Sequence, residues 1–303
     1  MPEPASRFAR AMHLPPVAYY ALVNTPLPLL LATSHASVYH VVAFVKLTGA
    51  LMDAAEQNRF KKEAAEAAAQ LVENGMIVGL GTGSTAAFLV NELGRRVAEE
   101  GLRFTGIPTS ERTAEQARSL GIPLTSLAQH SEIHLTIDGA DEVELGTLYL
   151  IKGHGGALLR EKIVAAASKR MAVIVDETKL VKRLGTTFSV PVEVVPFGWQ
   201  ATAAKLAALG ANPALRPGVD GKPYVTDGGH YILDCAFGPM ANPKKVAREL
   251  DEVVGVVEHG LFLGYAREVF VGGPKGVRTL KRSAARRARS ASKKSVKRSP
   301  RSS

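Results

Sequence analysis

The chain has 303 residues, 46% of them apolar, a single cysteine and a formal net charge of +10. That length supports one large domain or two, and the lone Cys235 excludes an internal disulfide or a multi-cysteine zinc site. The charge is local: residues 281–303 hold ten Lys and Arg and no acid, so the rest of the chain is formally neutral.

The first 51 residues pair an early Arg7 and Arg10 with an apolar stretch from Pro15 to Leu51. A signal peptide fits the basic start and the small residues near Ala36. A membrane span is opposed by Pro26, Pro28, His35, His40 and Lys46, which interrupt the roughly 20 apolar residues it needs. The reading we favour is a mis-assigned start, with Met52-Asp53-Ala54-Ala55-Glu56 opening the soluble protein. A flexible extension is the second reading and a signal peptide the last; in each, residues 1–51 lie outside the core.

From there the pattern alternates. Residues 53–73 predict a helix, with Ala64, Ala67, Ala68 and Leu71 at helical spacing, ended by Asn74-Gly75. Short strands are expected at 76–80, 103–107, 133–137 and 171–175. Helices are expected near 85–100, 110–120 (capped by Ser110) and 159–169. Strands alternating with helices imply a parallel sheet covered on both faces. After Leu184 the pattern turns α+β. It has a proline-bounded strand at 190–196, a helix near 199–209 and a turn-rich 212–221. A hairpin of Tyr224–Thr226 with Tyr231–Asp234 is predicted around Asp227-Gly228-Gly229. A helix near 242–251 and an apolar stretch from Val253 to Leu263 follow, and Glu268–Val271 is expected to return to the first sheet.

The expected fold class is therefore α/β. A Rossmann-like catalytic domain spans 52–184 plus 266–281, and a smaller α+β domain spans 185–265. Residues 282–303 are a disordered basic tail, too poor in bulky apolar residues to repay its ordering entropy. Weak, salt-sensitive contact with a polyanion is the partner this tail suits.

Two features bear chemistry. The turn Gly81-Thr82-Gly83-Ser84-Thr85 joins a strand to a helix, so backbone N–H groups and hydroxyls meet the positive end of the helix dipole, which suits a phosphate. It is not a Walker A loop, because Gly83 rather than Lys precedes Ser84. It is not a dinucleotide fingerprint either, because Ser84 takes the third glycine's place and the next strand ends in Pro108-Thr109-Ser110 without an acid. A small phosphorylated substrate fits better than NAD. The second feature is Asp138-Gly139-Ala140-Asp141-Glu142 leaving an apolar strand, followed by Lys152-Gly153-His154-Gly155-Gly156-Ala157 and Arg160-Glu161-Lys162. Carboxylates at a buried strand end cost stability, whereas acids beside a lysine can divide proton transfer and oxyanion stabilisation. Taken singly, Glu161 reads as a first-turn helix acid, Lys152 as a partner of Asp141 and Asp138 as an Asx-turn residue. Together they read as an active site. The histidines form no HExxH pattern, and His130 and His134, four apart, have no helix signal, so no metal is expected.

In this order, the glycine loop, Asp-Gly-Ala-Asp-Glu, Lys-Gly-x-Gly-Gly-Ala and Leu-x-Arg-Glu-Lys resemble type A ribose-5-phosphate isomerase. Pro108-Thr109-Ser110, Asp176-Glu177-Thr178-Lys179 and Pro191-Val192-Glu193-Val194 extend the resemblance over about 53–281. It implies cofactor-free interconversion of ribose 5-phosphate and ribulose 5-phosphate in the non-oxidative pentose phosphate pathway, by a cytoplasmic homodimer. The family's base falls on Glu161. Its substrate-contacting segments fall on Thr82, Gly83, Ser84 and Thr85, on Asp138, Gly139, Ala140 and Asp141, on Lys152, Gly153, His154 and Gly155, and on Lys179. The spacing from Glu142 to Lys152 is one residue longer than in some members, and His154 fills a variable place.

The chemistry of the residues suggests Glu161 as proton carrier, Lys152 with the loop amides for oxyanion charge, Asp138 for ring opening, Asp141 for substrate hydroxyls and Lys179 for an anionic substrate. Rival functions are a sugar-phosphate lactonase, an amino-sugar-phosphate deaminase, a CoA transferase using a covalent Glu, or a sugar-phosphate-sensing regulator with a nucleic-acid-binding tail. The regulator lacks a readable helix-turn-helix signature.

Overall fold

Short apolar runs build the central sheet. In the computed structural model, which describes residues 54–282, these are Ile77–Leu80 (β1), Thr105–Pro108 (β2), Leu135–Asp138 (β3), Met171–Asp176 (β6) and Ala266–Gly273 (β13), all parallel. Gly276–Lys281 (β14) adds an antiparallel edge, giving the order β14-β13-β6-β3-β1-β2. Every residue of β3 and β6 is buried, the pattern of strands covered on both faces. The expectations for the first 51 residues, and for the basic tail beyond Arg282, lie outside the described residues. Arg282 itself is held, its Nη1 donating to Gly264 O at 3.0 Å.

Helices fill the connections: α1 (helical over 54–69), α2 (Ser84–Glu100), α3 (Glu111–Ser119) and α4 (Leu158–Ala166). Ala64 and Ala68 of α1 and Leu89 and Leu93 of α2 pack with Leu80, Ile137 and Ile174 in one core. Ser110 caps α3 by accepting from Thr113 N, as its sequence predicts. Glu142–Glu144 (β4), Leu150–Ile151 (β5), Leu180–Val181 (β7) and Leu261–Phe262 (β12) form a small sheet of order β12-β5-β4-β7. Among the described residues, those from Gln57 onward form one compact unit.

A second large sheet is antiparallel. It contains Val190–Val194 (β8), Asn212–Leu215 (β9), Tyr231–Ala236 (β10) and Val256–His259 (β11) in the order β11-β8-β10-β9. Trp199–Ala208 (α5) and Pro243–Asp251 (α6) pack on its apolar residues. Here the hairpin expectation is corrected. β10 pairs with β8 and β9, not with 224–226. Thr226 and His230 instead close a tight turn around the buried carboxylate of Glu193, whose Oε1 lies 2.8 Å from Thr226 Oγ1 and 3.0 Å from His230 Nδ1. The true partner, β9, falls in the stretch expected to be turns. It is an edge strand, which is where Pro213 is tolerated.

The connections around the central sheet run out from β1 to β2 and then return to β3 on the other side of β1. Parallel sheets bind ligands at the carboxyl ends of the strands beside such a reversal. The turn after β1 holds Gly81–Thr85, and the turn after β3 holds Asp138–Asp141.

Candidate active site

Gly81 and Gly83 are required for different reasons. A side chain on Gly81 would run into Asp138, with a Cβ 2.1 Å from its Oδ1, whereas Gly83 has φ +118°, closed to most residues. Together they bring the N-terminus of α2 to the mouth of a solvent-open cleft of about 480 Å³. Thr82–Thr85 line one wall and Gly139–Asp141 another; Lys152, Gly153, Gly155 and Glu161 form the base. The first-turn N–H groups of a helix have no intrahelical acceptors, so this wall is prepared for an anion.

The base of the cleft is a buried cluster of charge. Lys152 Nζ lies 3.0 Å from Asp138 Oδ2 and 3.2 Å from Glu161 Oε1, and donates to Gly139 O at 2.7 Å. Asp138 is fully buried, and its Oδ1 accepts from the backbone N–H groups of Thr82 (3.0 Å) and Gly139 (2.7 Å). Its Oδ2 meets Lys152 at ion-pair distance but outside hydrogen-bond geometry. Glu161, in the first turn of α4, is 3% exposed, and its Oε2 has no hydrogen-bond partner among the described residues. Burial, with the nearby Asp138 and Asp141 carboxylates, pushes Glu161 up to about 8 against the pull of Lys152. Burial also raises Asp138, opposed by Lys152. For Lys152, burial favours the neutral amine, but the charges of Asp138 and Glu161 overcome it and hold the ammonium above the ordinary lysine range. The two carboxyls therefore titrate as an interacting pair.

Most residues singled out from the sequence meet here. Lys179, on the 3₁₀ turn after β6, reaches the cleft with its Nζ 4.4 Å from the centroid of Phe188. Three side chains are placed differently from a simple ligand-contact picture. Asp138 lies just beneath the cleft surface, held by the bonds above. The Thr82 hydroxyl turns inward to Thr109 (2.7 Å), Ser110 (2.8 Å) and Thr113 (3.1 Å). His154 points its imidazole away, Nε2 3.1 Å from Ser189 O and the ring edge-on to Phe188, while its backbone N–H donates to Asp141 Oδ2 at 3.0 Å. The backbone of 154 therefore serves the site, not the ring.

One lining residue escaped the sequence reading. Lys61 of α1 enters the same cleft. A signal existed: Lys61 lies three, four and seven residues before Ala64, Ala65 and Ala68, all fully buried, so it occupies the inward stripe of its helix.

Glu142 and Lys162, adjacent in sequence to the site, are closed into other networks. Glu142 accepts from the N–H groups of Gly185, Thr187 and Phe188. Lys162 donates to Glu258 Oε1 at 2.6 Å and to His259 O. Asp251, Glu258 and His259 converge like metal ligands, but the Lys162 ammonium already stands against Glu258. His259 Nδ1 also accepts from Leu261 N at 3.2 Å, and burial beside that ammonium pulls the imidazole down to about 3.

Comparison with known proteins agrees with this geometry. The profile of ribose 5-phosphate isomerase A (phosphoriboisomerase A) matches residues 105–276. A ribose-5-phosphate isomerase A from Synechococcus sp. (strain JA-3-3Ab) is 58% identical over 229 residues, which is 76% of this chain and 100% of that protein. One from Gloeobacter violaceus is 60% identical over 225 residues, 74% and 97% of the two chains. Among solved structures, ribose 5-phosphate isomerase A from Methanocaldococcus jannaschii superposes with a TM-score of 0.71 at 42% identity, covering 74% of this chain and 99% of that one. A D-ribose-5-phosphate isomerase in complex with phospho-erythronic acid gives 0.72 at 39% identity, covering 74% and 98%. This chain belongs to the ribose 5-phosphate isomerase A family.

Proposed function

We propose that the chain interconverts D-ribose 5-phosphate and D-ribulose 5-phosphate through an enediolate, with Glu161 as the proton carrier. The observation that supports this most directly is Glu161 Oε2: buried, without a hydrogen-bond partner, and on a carboxyl whose proton affinity is raised to about 8. Such a group can take a carbon-bound proton and return it. Asp138 assists opening of the furanose. Glu161 then removes the proton from C2 of the open aldose, the electron pair forms the C1–C2 double bond, and charge collects on O1. Lys152 and the N–H groups of its own loop, Gly153–Gly156, face that charge. The hydroxyl proton passes from O2 to O1, and Glu161 delivers its proton to C1, completing the ketose. Asp141 holds substrate hydroxyls. The α2 N-terminus, Lys61 and Lys179 bind the phosphate. The relative solved with phospho-erythronic acid supports a phosphorylated sugar acid or sugar as the kind of ligand this cleft takes.

The same proposal includes the division into a catalytic domain (52–184 plus 266–281) and a smaller domain (185–265). It is supported by the parallel sheet drawing its described strands from the first and the antiparallel sheet from the second. A place in the non-oxidative pentose phosphate pathway, a cytoplasmic location and a homodimer complete it, on the pattern of the family. Among the described residues no helix is long and apolar enough to cross a membrane. Weak contact of the basic tail with polyanions is also proposed, on charge alone.

The test is turnover of ribose 5-phosphate in deuterated water. The enediolate route predicts solvent deuterium on C1 of the ribulose 5-phosphate formed. Because Glu161 can return its proton before that proton exchanges with solvent, full turnover with no deuterium would replace proton transfer by a hydride shift only if Glu161→Gln also turned over normally; no turnover at all would remove the proposal.

A further inference from the structure

The loop bearing Lys152 is rich in glycine; one internal turn bond, from Gly156 N–H to Gly153 O at 3.0 Å, shapes it, and a further grip on the same carbonyl comes from the second sheet. Gly153 has φ +108°, and glycine segments lose the most entropy on ordering. Arg216, just past β9, lays its guanidinium against this loop. Nη1 donates to Gly153 O at 2.8 Å and lies 3.3 Å from His154 O. The rest of the fork is held by Asp234 on β10, with Nε 2.9 Å from Oδ2 and Nη2 on Oδ1. The Arg216 backbone is pinned on both sides, donating to Ile232 O and accepting from Tyr224 N, each at 2.9 Å. Tyr224 in turn abuts Gly156 so closely that a Cβ there would sit 2.1 Å from its hydroxyl.

The peptide unit explains what this grip does. In a planar trans peptide the C=O and N–H point in opposite directions. Gly153 O and His154 N belong to one such unit: Arg216 holds the oxygen, and the N–H donates to Asp141 Oδ2 at 3.0 Å. His154 O and Gly155 N belong to the next. Arg216 engages that oxygen too, while the Gly155 N–H has no partner among the described residues and Gly155 lines the cleft. Because Asp234 balances the guanidinium charge, what reaches the loop is orientation rather than field.

We infer that Arg216 is a positioning residue for the isomerisation. It sets the two peptide units that orient Asp141 and present the Gly155 N–H beside Lys152. This rests on the site roles proposed above. The test uses the full chain, with Arg216→Ala and Arg216→Lys assayed on ribose 5-phosphate beside the parent. Misplacement of a catalytic group by an ångström costs up to about 100-fold, so Arg216→Ala should lower kcat by roughly 10–100-fold, more than it raises KM. The pH profile should shift only slightly, since burial, the largest influence on Glu161, is untouched and only the smaller contribution of Asp141 changes. Added guanidinium chloride should restore part of the lost kcat where equal sodium chloride does not. Arg216→Lys keeps a cation but cannot span Asp234 and both carbonyls, so it should also lose kcat while keeping the fold. It therefore serves as the test if the alanine variant does not fold. A kcat within about twofold of the parent in the folded variants, a loss confined to KM, or no preference for guanidinium would overturn the role. An inactive parent would overturn it together with the function it rests on; an active parent with unaffected variants overturns the Arg216 role alone.

Discussion

Two lysines ten residues apart flank one aromatic ring and live in opposite circumstances. Lys152 Nζ is 5.5 Å from the Phe262 ring centroid and Lys162 Nζ is 5.0 Å from it. Around Lys152, charge is gathered but polar valences stay open: Asp138 Oδ2 and Glu161 Oε2 lack hydrogen bonds. Around Lys162, the ammonium is closed onto Glu258 and His259 O. Their proton affinities move apart as well. Lys152 is held above the usual range by its carboxylates, whereas burial lowers Lys162 despite Glu258. The comparison separates a charge cluster left open from one closed on itself. Both bury a lysine with acids, but only the first leaves acceptors unfilled for a substrate to complete.

The sharpest way to break this contrast is Glu161→Gln, which keeps the shape and removes the carboxylate. It should lower kcat by about 10²–10⁴-fold with substrate binding largely retained. Near-normal kcat would pass the base role to Asp138. Lys152→Ala should cost about 10²–10³-fold in kcat through lost oxyanion stabilisation, read by steady-state kinetics. If KM absorbs the whole effect, Lys152 binds the ground state only.

The pH dependence follows from Glu161. Its carboxyl must lose a proton before it can accept one, so kcat/KM should climb roughly tenfold per pH unit below about 8 and level off above it. Stability moves oppositely. Because the folded pKa is raised above the ordinary 4.5, Glu161 contributes stability that is present below that value and lost as pH rises through about 8. Melting curves from pH 5 to 9 should therefore show Glu161→Gln gaining on the parent as pH rises.

The smallest kinetic effect is expected at the structural lysine. Lys162→Met should leave kcat within a few-fold and lower stability by about 1–3 kcal/mol, the cost of unpaired buried partners. Denaturant unfolding beside kinetics measures both. A large kcat loss with unchanged stability would erase the distinction between the two lysines.

Much of the central sheet was legible because its strands are short, continuous apolar runs bounded by glycine or acid turns, as at Ile77–Leu80 and Met171–Asp176. The clustering of Asp138, Lys152 and Glu161 was legible because all three interrupt apolar surroundings, where burial of a lone charge is costly. What sequence hid depends on the third dimension. β9 resembles a turn because an edge strand tolerates Pro213, and β14 is largely exposed. The Thr82 hydroxyl could not be known to face Thr109, nor the His154 ring Ser189. Lys61 and Arg216 belong to the site only through folding, Arg216 from 63 residues beyond the carbonyl it holds.

Gly260 packs so tightly on Lys152 that a Cβ there would lie 2.1 Å from the lysine's carbonyl oxygen, while the Lys152 N–H bonds to Gly260 O at 2.9 Å. A growing chain releases Asp138, Lys152 and Glu161 well before residue 260, and β13, the neighbour of β6, comes later still. During synthesis the reactive groups therefore exist before their frame does. The frame around Lys152 is complete only once Gly260 has been made and β13 lies beside β6.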